Sequence, residues 1–233
     1  MIKVISFKIC PFVQRVTALL EAKRIPYEIE YISLADKPKW FTDIAPNGQV
    51  PVLITETGVP LFESDAIIEY IDEITEQLEA GLSPELRAVS RAWSQQATKN
   101  YLVQCSAMRS GDEQALSEYA EKLGSVFAKV ENALGDGPFF NGGSIGNVDV
   151  AWLTILHRAD IINRHTCYDF LAGYPKIKAW QSALMASGLA EKSVAEDFEE
   201  AFTNFYLSDE TYLGNGHYCD SKVDQKSGSG ACC

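Results

Sequence analysis

The feature that most constrains the fold is a cysteine placed between a strand and a helix near the start of the chain. Residues 2–7 are rich in β-branched side chains and predict a short buried strand. Pro11 suits the first turn of a helix, where its missing N–H costs nothing, and apolar residues from Val13 to Leu20 then repeat at helical spacing. Cys10 therefore stands at the start of a helix that directly follows a strand.

This position favours the thiolate form of Cys10. Unsatisfied backbone N–H groups and the positive end of the helix dipole face a side chain placed there. We therefore expect the pKa of Cys10 to lie below the reference value of about 8.5. Val13 stands where a dithiol motif has its second cysteine, so a mixed disulfide on Cys10 has to be resolved by an external thiol such as free glutathione. The alternative is a buried structural cysteine, the commoner role of a free thiol.

Length and charge limit the class of protein. A chain of 233 residues can hold one large domain or two smaller ones. Its net charge of −12 disfavours nucleic acid and anionic membranes as partners. No stretch approaches the roughly 18 apolar residues of a membrane span. Because the N-terminus leads straight into a strand without a basic leader, we expect a cytoplasmic location. The cysteines and histidines lack metal-ligand spacing, so we expect no metal site.

Strand and helix signals alternate over residues 1–80 and predict an α/β domain. Residues 50–54 and 59–62 predict two strands joined by a turn that contains glycine, which is typical of a hairpin. Ser64 follows this hairpin at the start of an apolar helical pattern, where its hydroxyl predicts an N-cap.

The rest of the chain predicts helices. Residues 84–208 form a second, all-α domain in this interpretation, with the boundary at the small and polar residues 81–84. Residues 209–233 are rich in Gly, Ser, Asp and Lys and predict a flexible C-terminal tail. We interpret Cys232 and Cys233 as incidental thiols of that tail rather than a prenylation site.

Three motifs at these places resemble the glutathione transferases. They are Cys10-Pro11-Phe12 at the first helix, Gln49-Val50-Pro51-Val52-Leu53 before the hairpin, and Glu63-Ser64 at the next helix. Cysteine in the first motif is typical of the omega-like branch, which is similar also to the lambda and dehydroascorbate-reductase types. The resemblance implies a thioredoxin-like α/β N-terminal domain followed by an all-α helical domain, and a homodimer.

The resemblance also implies a glutathione site. Phe12 would line the pocket beside the thiol. A cis Pro51 would leave the backbone of Val50 exposed, so that it can pair with the cysteinyl part of glutathione. Ser64 and the N-terminus of its helix would hold the γ-glutamyl carboxylate.

Two charged residues complete the implied site. Glu63 would hold the ammonium group of glutathione or order its own loop, and Lys37 would meet the glycine carboxylate. Structural explanations stand beside these roles: Ser64 as a helix cap, Pro51 as a trans edge residue, and Lys37 as a solvated surface charge.

The activity implied by the resemblance is thiol transfer. The Cys10 thiolate would attack a glutathionylated or otherwise oxidised substrate, and a second glutathione would regenerate the thiolate. Conjugation to electrophiles would be weak. The sequence leaves the acceptor open among dehydroascorbate, a glutathionylated protein and other oxidised molecules. Side chains on the helix after residue 84 are candidate acceptor contacts, with core packing as the alternative for the two aromatic ones: Trp93, Asn100, Tyr101 and Gln104.

Two non-enzymatic functions compete with this interpretation. Intracellular chloride-channel proteins share the fold and a similar Cys-Pro-Phe motif, and some are proposed to insert their first helix into membranes. Here Glu21, Lys23 and Arg24 make insertion unfavourable. The other alternative is a binding or scaffold protein that keeps the fold without the chemistry.

Overall fold

The computed structural model of the chain describes residues 1–216. Its N-terminal part is built on a four-stranded sheet with the order β2-β1-β3-β4. β2 runs parallel to β1, whereas β3 is antiparallel to β1 and β4 is antiparallel to β3. The strands are β1 (Ile2–Ser6), β2 (Tyr27–Tyr31), β3 (Val52–Ile54) and β4 (Pro60–Phe62).

Helices cover this sheet because a parallel strand pair needs a crossover connection. The crossover between β1 and β2 is α1, which packs against α3 and against α6 of the second part. Val16, Leu19 and Leu20 of α1 are completely buried, as is Val4 in the central strand. The helices of this part are α1 (Pro11–Ala22), α2 (Lys39–Ile44) and α3 (Ser64–Ile74).

From residue 84 onward the regular elements of the described chain are helices. They are α4 (Pro84–Met108), α5 (Glu113–Ala133), α6 (Asn147–Thr166), α7 (Pro175–Ala186), α8 (Leu189–Lys192) and α9 (Phe198–Tyr206). α6 lies at the centre, because it contacts α1, α4, α7 and α8. The predicted fold class, an α/β domain followed by an all-α domain, is confirmed. We place the division between the two at residues 81–84, directly before α4.

The end of the described chain packs on the helical part. The side chain of Leu213 is buried, and the backbone N–H of Tyr212 donates to the carbonyl of Ser110 at 2.7 Å. The flexible tail predicted from residue 209 therefore does not include 209–216. Cys232 and Cys233, with the rest of 217–233, lie outside the described residues. Within residues 1–216, no helix combines the length and apolarity needed to cross a membrane.

Candidate functional site

Cys10 lies at the N-cap of α1, at the carboxyl end of the central strand. A turn after β1 places it there: the backbone N–H of Cys10 donates to the carbonyl of Phe7 at 2.9 Å. Its Sγ lies 3.9 Å from the carbonyl oxygen of Val50 and points the thiol at that backbone. The structure thus brings together Cys10 and the Val50–Pro51 segment, whose peptide bond is cis as the resemblance implied.

The environment of Cys10 corrects one expectation. Burial raises the pKa of the thiol above its ordinary value. The backbone N–H groups of Phe12 and Val13 and the positive charge of Arg158 lower the pKa, but their influence is smaller than that of burial. The helix N-terminus inferred from the sequence is present. The pKa nevertheless rises because the effect of burial on the thiol outweighs that of the helix N-terminus.

Glu63 and Ser64 lie at the N-terminus of α3, where the structure corrects only the position of the helix cap. Glu63 occupies the N-cap position, and Ser64 is the first helical residue, so the predicted capping role of Ser64 is wrong. Glu63 has a φ of 67°, in the left-handed region that costs a non-glycine residue on the order of 1–3 kcal/mol. Its Oε1 accepts a hydrogen bond of 2.9 Å from Nδ2 of Asn47, which holds the carboxylate in place.

A cleft of about 230 Å³ joins most of the predicted site. Five predicted residues line it: Phe12, Val50, Pro51, Glu63 and Ser64. Cys10 adjoins the cleft through its contact with Val50. Lys37 does not line the cleft; it is exposed, and its Nζ lies beside Gly48, two residues before Val50.

The cleft also contains residues that the sequence analysis missed. Asp65, the second residue of α3, forms an ion pair with Arg15, whose side chain is only 5% exposed. Thr98 and Lys99 reach the cleft from α4. The remaining lining residues are Ala45, Asn47, Gln49 and Phe62.

The acceptor contacts predicted on α4 pack inward instead. Tyr101 Oη donates to the carbonyl of Ala151 at 2.6 Å, and Gln104 Nε2 donates to that of Ile155 at 2.9 Å. Both side chains are buried, as is Asn100, while Trp93 packs on the core through Phe140. For Trp93 and Tyr101 this is the core packing that the sequence left open as the alternative. The helical pattern of α4 is polar on the side that meets α6, so amphipathicity could not show which side faces the cleft.

Three polar side chains connect the thiol-bearing helix to α6. Arg158 Nη1 donates to Gln14 Oε1 and to the carbonyl of Thr154, and its Nη2 donates at 3.1 Å to the carbonyl of Ile9, the residue before Cys10. Gln14 Nε2 in turn donates to His157 Nδ1 at 2.9 Å. Burial lowers the pKa of His157 to about 3, so its imidazole is neutral.

A second link reaches the same loop from the end of the helical part. Lys8, two residues before Cys10, forms an ion pair with Asp197, directly before α9. Thr17 Oγ1 on α1 also donates to the carbonyl of Ser193 at 2.6 Å. The β1–α1 loop that carries the thiol is therefore held by residues from both parts of the chain.

Comparison with known proteins places this geometry in a family. A family model described as "Glutathione S-transferase, N-terminal domain" matches residues 9–74, and one described as "Glutathione S-transferase, C-terminal domain" matches residues 113–180. The first match begins directly before Cys10 and ends with α3, so it contains most of the cleft.

Two curated relatives cover most of the chain. Glutathione S-transferase omega-1 of Mus musculus is 32% identical over 212 residues, which are 89% of this chain and 87% of the relative. A protein of Oryza sativa subsp. japonica named "Probable glutathione S-transferase DHAR1, cytosolic" is 32% identical over 156 residues, 67% of this chain and 70% of the relative.

A solved structure supports the same fold. The crystal structure of a rice glutathione transferase in complex with glutathione superposes with a TM-score of 0.74. It is 22% identical and covers 88% of this chain and 97% of that chain. The similarity therefore extends over both parts of the described fold.

Proposed function

The chain belongs to the glutathione S-transferase family of enzymes, and on this premise we propose that it is a glutathione-dependent thiol transferase whose nucleophile is Cys10. The observation that carries the proposal is the position of the Cys10 thiol, 3.9 Å from the Val50 carbonyl at the edge of the cleft. A cysteine there can form a disulfide with glutathione, which a serine or tyrosine hydroxyl cannot do.

The cleft offers suitable groups for glutathione. In this proposal the cysteinyl part of glutathione pairs with the backbone of Val50, beside Pro51 and the ring of Phe12. The γ-glutamyl carboxylate lies at Ser64, where the N-terminal N–H groups of α3 and its dipole favour an anion. Because Ser64 does not cap the helix, its hydroxyl is available to donate to that carboxylate.

The two charged groups would bind the ends of the tripeptide. Glu63, fixed by Asn47, lies in the cleft and is placed to accept from the γ-glutamyl ammonium. The side chain of Lys37 is exposed and lies beside Gly48. Lys37 would therefore bind the glycine carboxylate if glutathione extends beyond the cleft toward Gly48.

The proposed reaction has two disulfide exchanges. The Cys10 thiolate attacks the glutathionyl sulfur of a mixed disulfide, the substrate thiolate leaves and takes a proton, and Cys10 becomes glutathionylated. A second glutathione thiolate then attacks that sulfur, so that oxidised glutathione leaves and Cys10 is regenerated. No metal takes part in these steps.

We propose glutathionylated thiols as acceptors, with only weak conjugation of electrophiles. A dehydroascorbate-type acceptor needs a different first step: the Cys10 thiolate adds to a carbonyl carbon, whose oxygen takes a proton. A glutathione thiolate then attacks the Cys10 sulfur, the reduced acceptor leaves with the electron pair of the broken C–S bond, and a second glutathione resolves the disulfide on Cys10. The relatives support this choice, since one is an omega-class enzyme and another carries the name DHAR1. We further propose a cytoplasmic homodimer: the rice relative is named cytosolic, and exposed apolar side chains on α4, Leu86 and Val89, suit a subunit contact.

The test is glutathione-dependent reduction of a small mixed disulfide by the wild type and the Cys10→Ala variant. We expect activity in the wild type and its loss in the variant, while Cys167→Ser, which changes an exposed cysteine, keeps full activity. Equal activity in Cys10→Ala and wild type would refute the assignment of Cys10. Absence of activity in both proteins, with glutathione still bound, would refute the enzymatic role and favour a binding protein.

A further inference from the structure

Arg158 is a buried cation without a carboxylate partner in the part of the chain that the structure describes. Its side chain is completely inaccessible, and its Nη groups donate to three uncharged oxygens, those of Ile9, Thr154 and Gln14. Its Nε has no hydrogen-bond partner among residues 1–216. A buried cation in such surroundings is unfavourable unless a negative charge compensates it.

Titratable side chains near Arg158 and Cys10 belong to three helices, α4, α6 and α9. They are Tyr101 and Cys105 on α4, His157 on α6 and Tyr206 on α9. Two carboxylates on the open side of the site already have cations: Asp65 is paired with Arg15 on α1, and Asp197 with Lys8. The carboxylate of Glu63 lies in the cleft and accepts from Asn47. Compensation for Arg158 must therefore come from a group that ionises within this cluster.

Most members of the cluster do not supply an anion near neutral pH. Burial raises the pKa of Tyr101 to about 12 and that of Tyr206 further above its ordinary range. His157 is neutral, as its pKa of about 3 requires, and could only become a cation. The two thiols remain: Cys105 accepts a hydrogen bond from Tyr206 Oη at 3.2 Å, whereas the hydrogen bond from Arg158 to the Ile9 carbonyl reaches the backbone that carries Cys10.

We infer that Arg158 is the counter-ion of the Cys10 thiolate. Its Nη2 donates at 3.1 Å to the carbonyl of Ile9, the peptide that leads directly into Cys10, and Arg158 does not line the cleft. The guanidinium carbon of Arg158 lies over the ring of Phe198, 5.5 Å from the ring centroid. When the Cys10 proton leaves to solvent, the thiolate and the guanidinium compensate each other in a site where burial alone would oppose ionisation.

This inference rests on the proposed function, in which Cys10 is the nucleophile, and it makes Arg158 a positioning residue. Arginine suits the task because it stays charged even when burial lowers its pKa. A purely structural role for Arg158, bridging Ile9, Gln14 and Thr154, would affect folding but would not change the pH at which Cys10 ionises.

The test is the rate at which iodoacetamide alkylates Cys10 as a function of pH, followed by mass spectrometry of the peptide that contains Cys10. We expect Arg158→Gln to slow alkylation at pH 7 about tenfold or more, because loss of a nearby opposite charge raises a pKa by roughly 1–3 units. The midpoint of the pH profile should rise accordingly. Arg164→Gln, which removes an exposed arginine from the same helix, should leave the profile unchanged.

A second variant covers the case in which Arg158→Gln does not fold. Gln14→Glu keeps the size of the side chain and gives Arg158 a carboxylate partner at the position where Gln14 Oε1 now accepts. It should slow alkylation of Cys10 in the same way. An unchanged profile in whichever variant folds would overturn the inference. Because alkylation needs no glutathione, this result is independent of whether the wild type reduces mixed disulfides.

Discussion

The side-chain amide of Gln14 on α1 donates at 2.9 Å to Nδ1 of His157 on α6, and both side chains are buried. The amide nitrogen of Gln14 thus binds the neutral imidazole of His157. Its amide oxygen accepts from the guanidinium of Arg158. This contact joins the helix that bears the thiol to the central helix of the other domain. It fits only the unprotonated form of His157, because Nδ1 has to accept.

The first prediction concerns the pH dependence of stability. The pKa of His157 is lowered from 6.5 to about 3 in the folded protein, so below pH 6.5 the unfolded chain takes up a proton that the folded chain does not. The free energy of unfolding should fall by about 1 kcal/mol per pH unit from pH 6.5 toward pH 3 on account of this group. Urea denaturation of wild type and His157→Gln at several pH values measures it, and the slope in the variant should be smaller.

The second prediction concerns the choice between thiol transfer and conjugation. Cys10→Ser should lose reduction of mixed disulfides, because serine cannot form the disulfide intermediate. The same variant should gain conjugation of glutathione to an aromatic electrophile, since a hydroxyl at this place can donate to the glutathione thiolate and cannot trap it. Steady-state assays of both reactions on one preparation measure the loss of disulfide reduction and the gain of conjugation. Retained disulfide reduction in Cys10→Ser would contradict the mechanism.

The third prediction concerns the γ-glutamyl carboxylate. Ser64→Ala should raise the KM for glutathione about tenfold or more, because a hydrogen bond to a charged group contributes roughly 1.5–3 kcal/mol. The thermal midpoint should change little, since the Ser64 side chain makes no capping hydrogen bond. Ser83→Ala is the matched control: Ser83 does cap its helix, α4, so that variant should lose stability and keep its KM. A lower melting temperature with unchanged KM in Ser64→Ala would assign Ser64 to structure instead.

The fourth prediction separates two interpretations of Lys37. If Lys37 binds the glycine carboxylate, Lys37→Ala should weaken glutathione binding several-fold, in line with the roughly 0.2–1 kcal/mol of an exposed ion pair. The loss should decrease at high salt. Isothermal titration with glutathione at two salt concentrations measures both effects, with Lys39→Ala, an exposed lysine paired with Asp43, as control. Identical affinities for Lys37→Ala and Lys39→Ala would leave Lys37 as a solvated surface charge.

The sequence predicted those parts of the site that depend on local chemistry. The strand, Cys10, Pro11 and the amphipathic helix follow one another closely in the sequence. Each could be predicted because β-branched residues favour a strand, proline favours the first turn of a helix, and apolar periodicity indicates the helix itself. The hairpin after residue 50 and the helix at Ser64 follow from equally short patterns. For these elements, the type of structure and its approximate position along the chain follow from neighbouring residues alone.

Properties that depend on distant packing could not be predicted. The pKa of Cys10 rises because of burial, and the extent to which a side chain is buried in the folded protein cannot be inferred from the neighbouring residues. Thr98 and Lys99, rather than Tyr101 and Gln104, reach the cleft because α6 covers the other side of α4. Ser64 is not the N-cap because Glu63 adopts a positive φ, a conformation that the sequence does not favour for glutamate.

The ion pair of Lys8 with Asp197 ties the loop before the thiol to the start of the last described helix. Synthesis on the ribosome proceeds from the N-terminus, so the carboxylate of Asp197 is made 189 residues after Lys8, the residue in the loop that it binds. The whole intervening segment must therefore leave the ribosome before this ion pair can form. A fragment that ends at residue 80 would contain Cys10 and Val50 but neither Asp197 nor Arg158, which bind the loop from the helical domain.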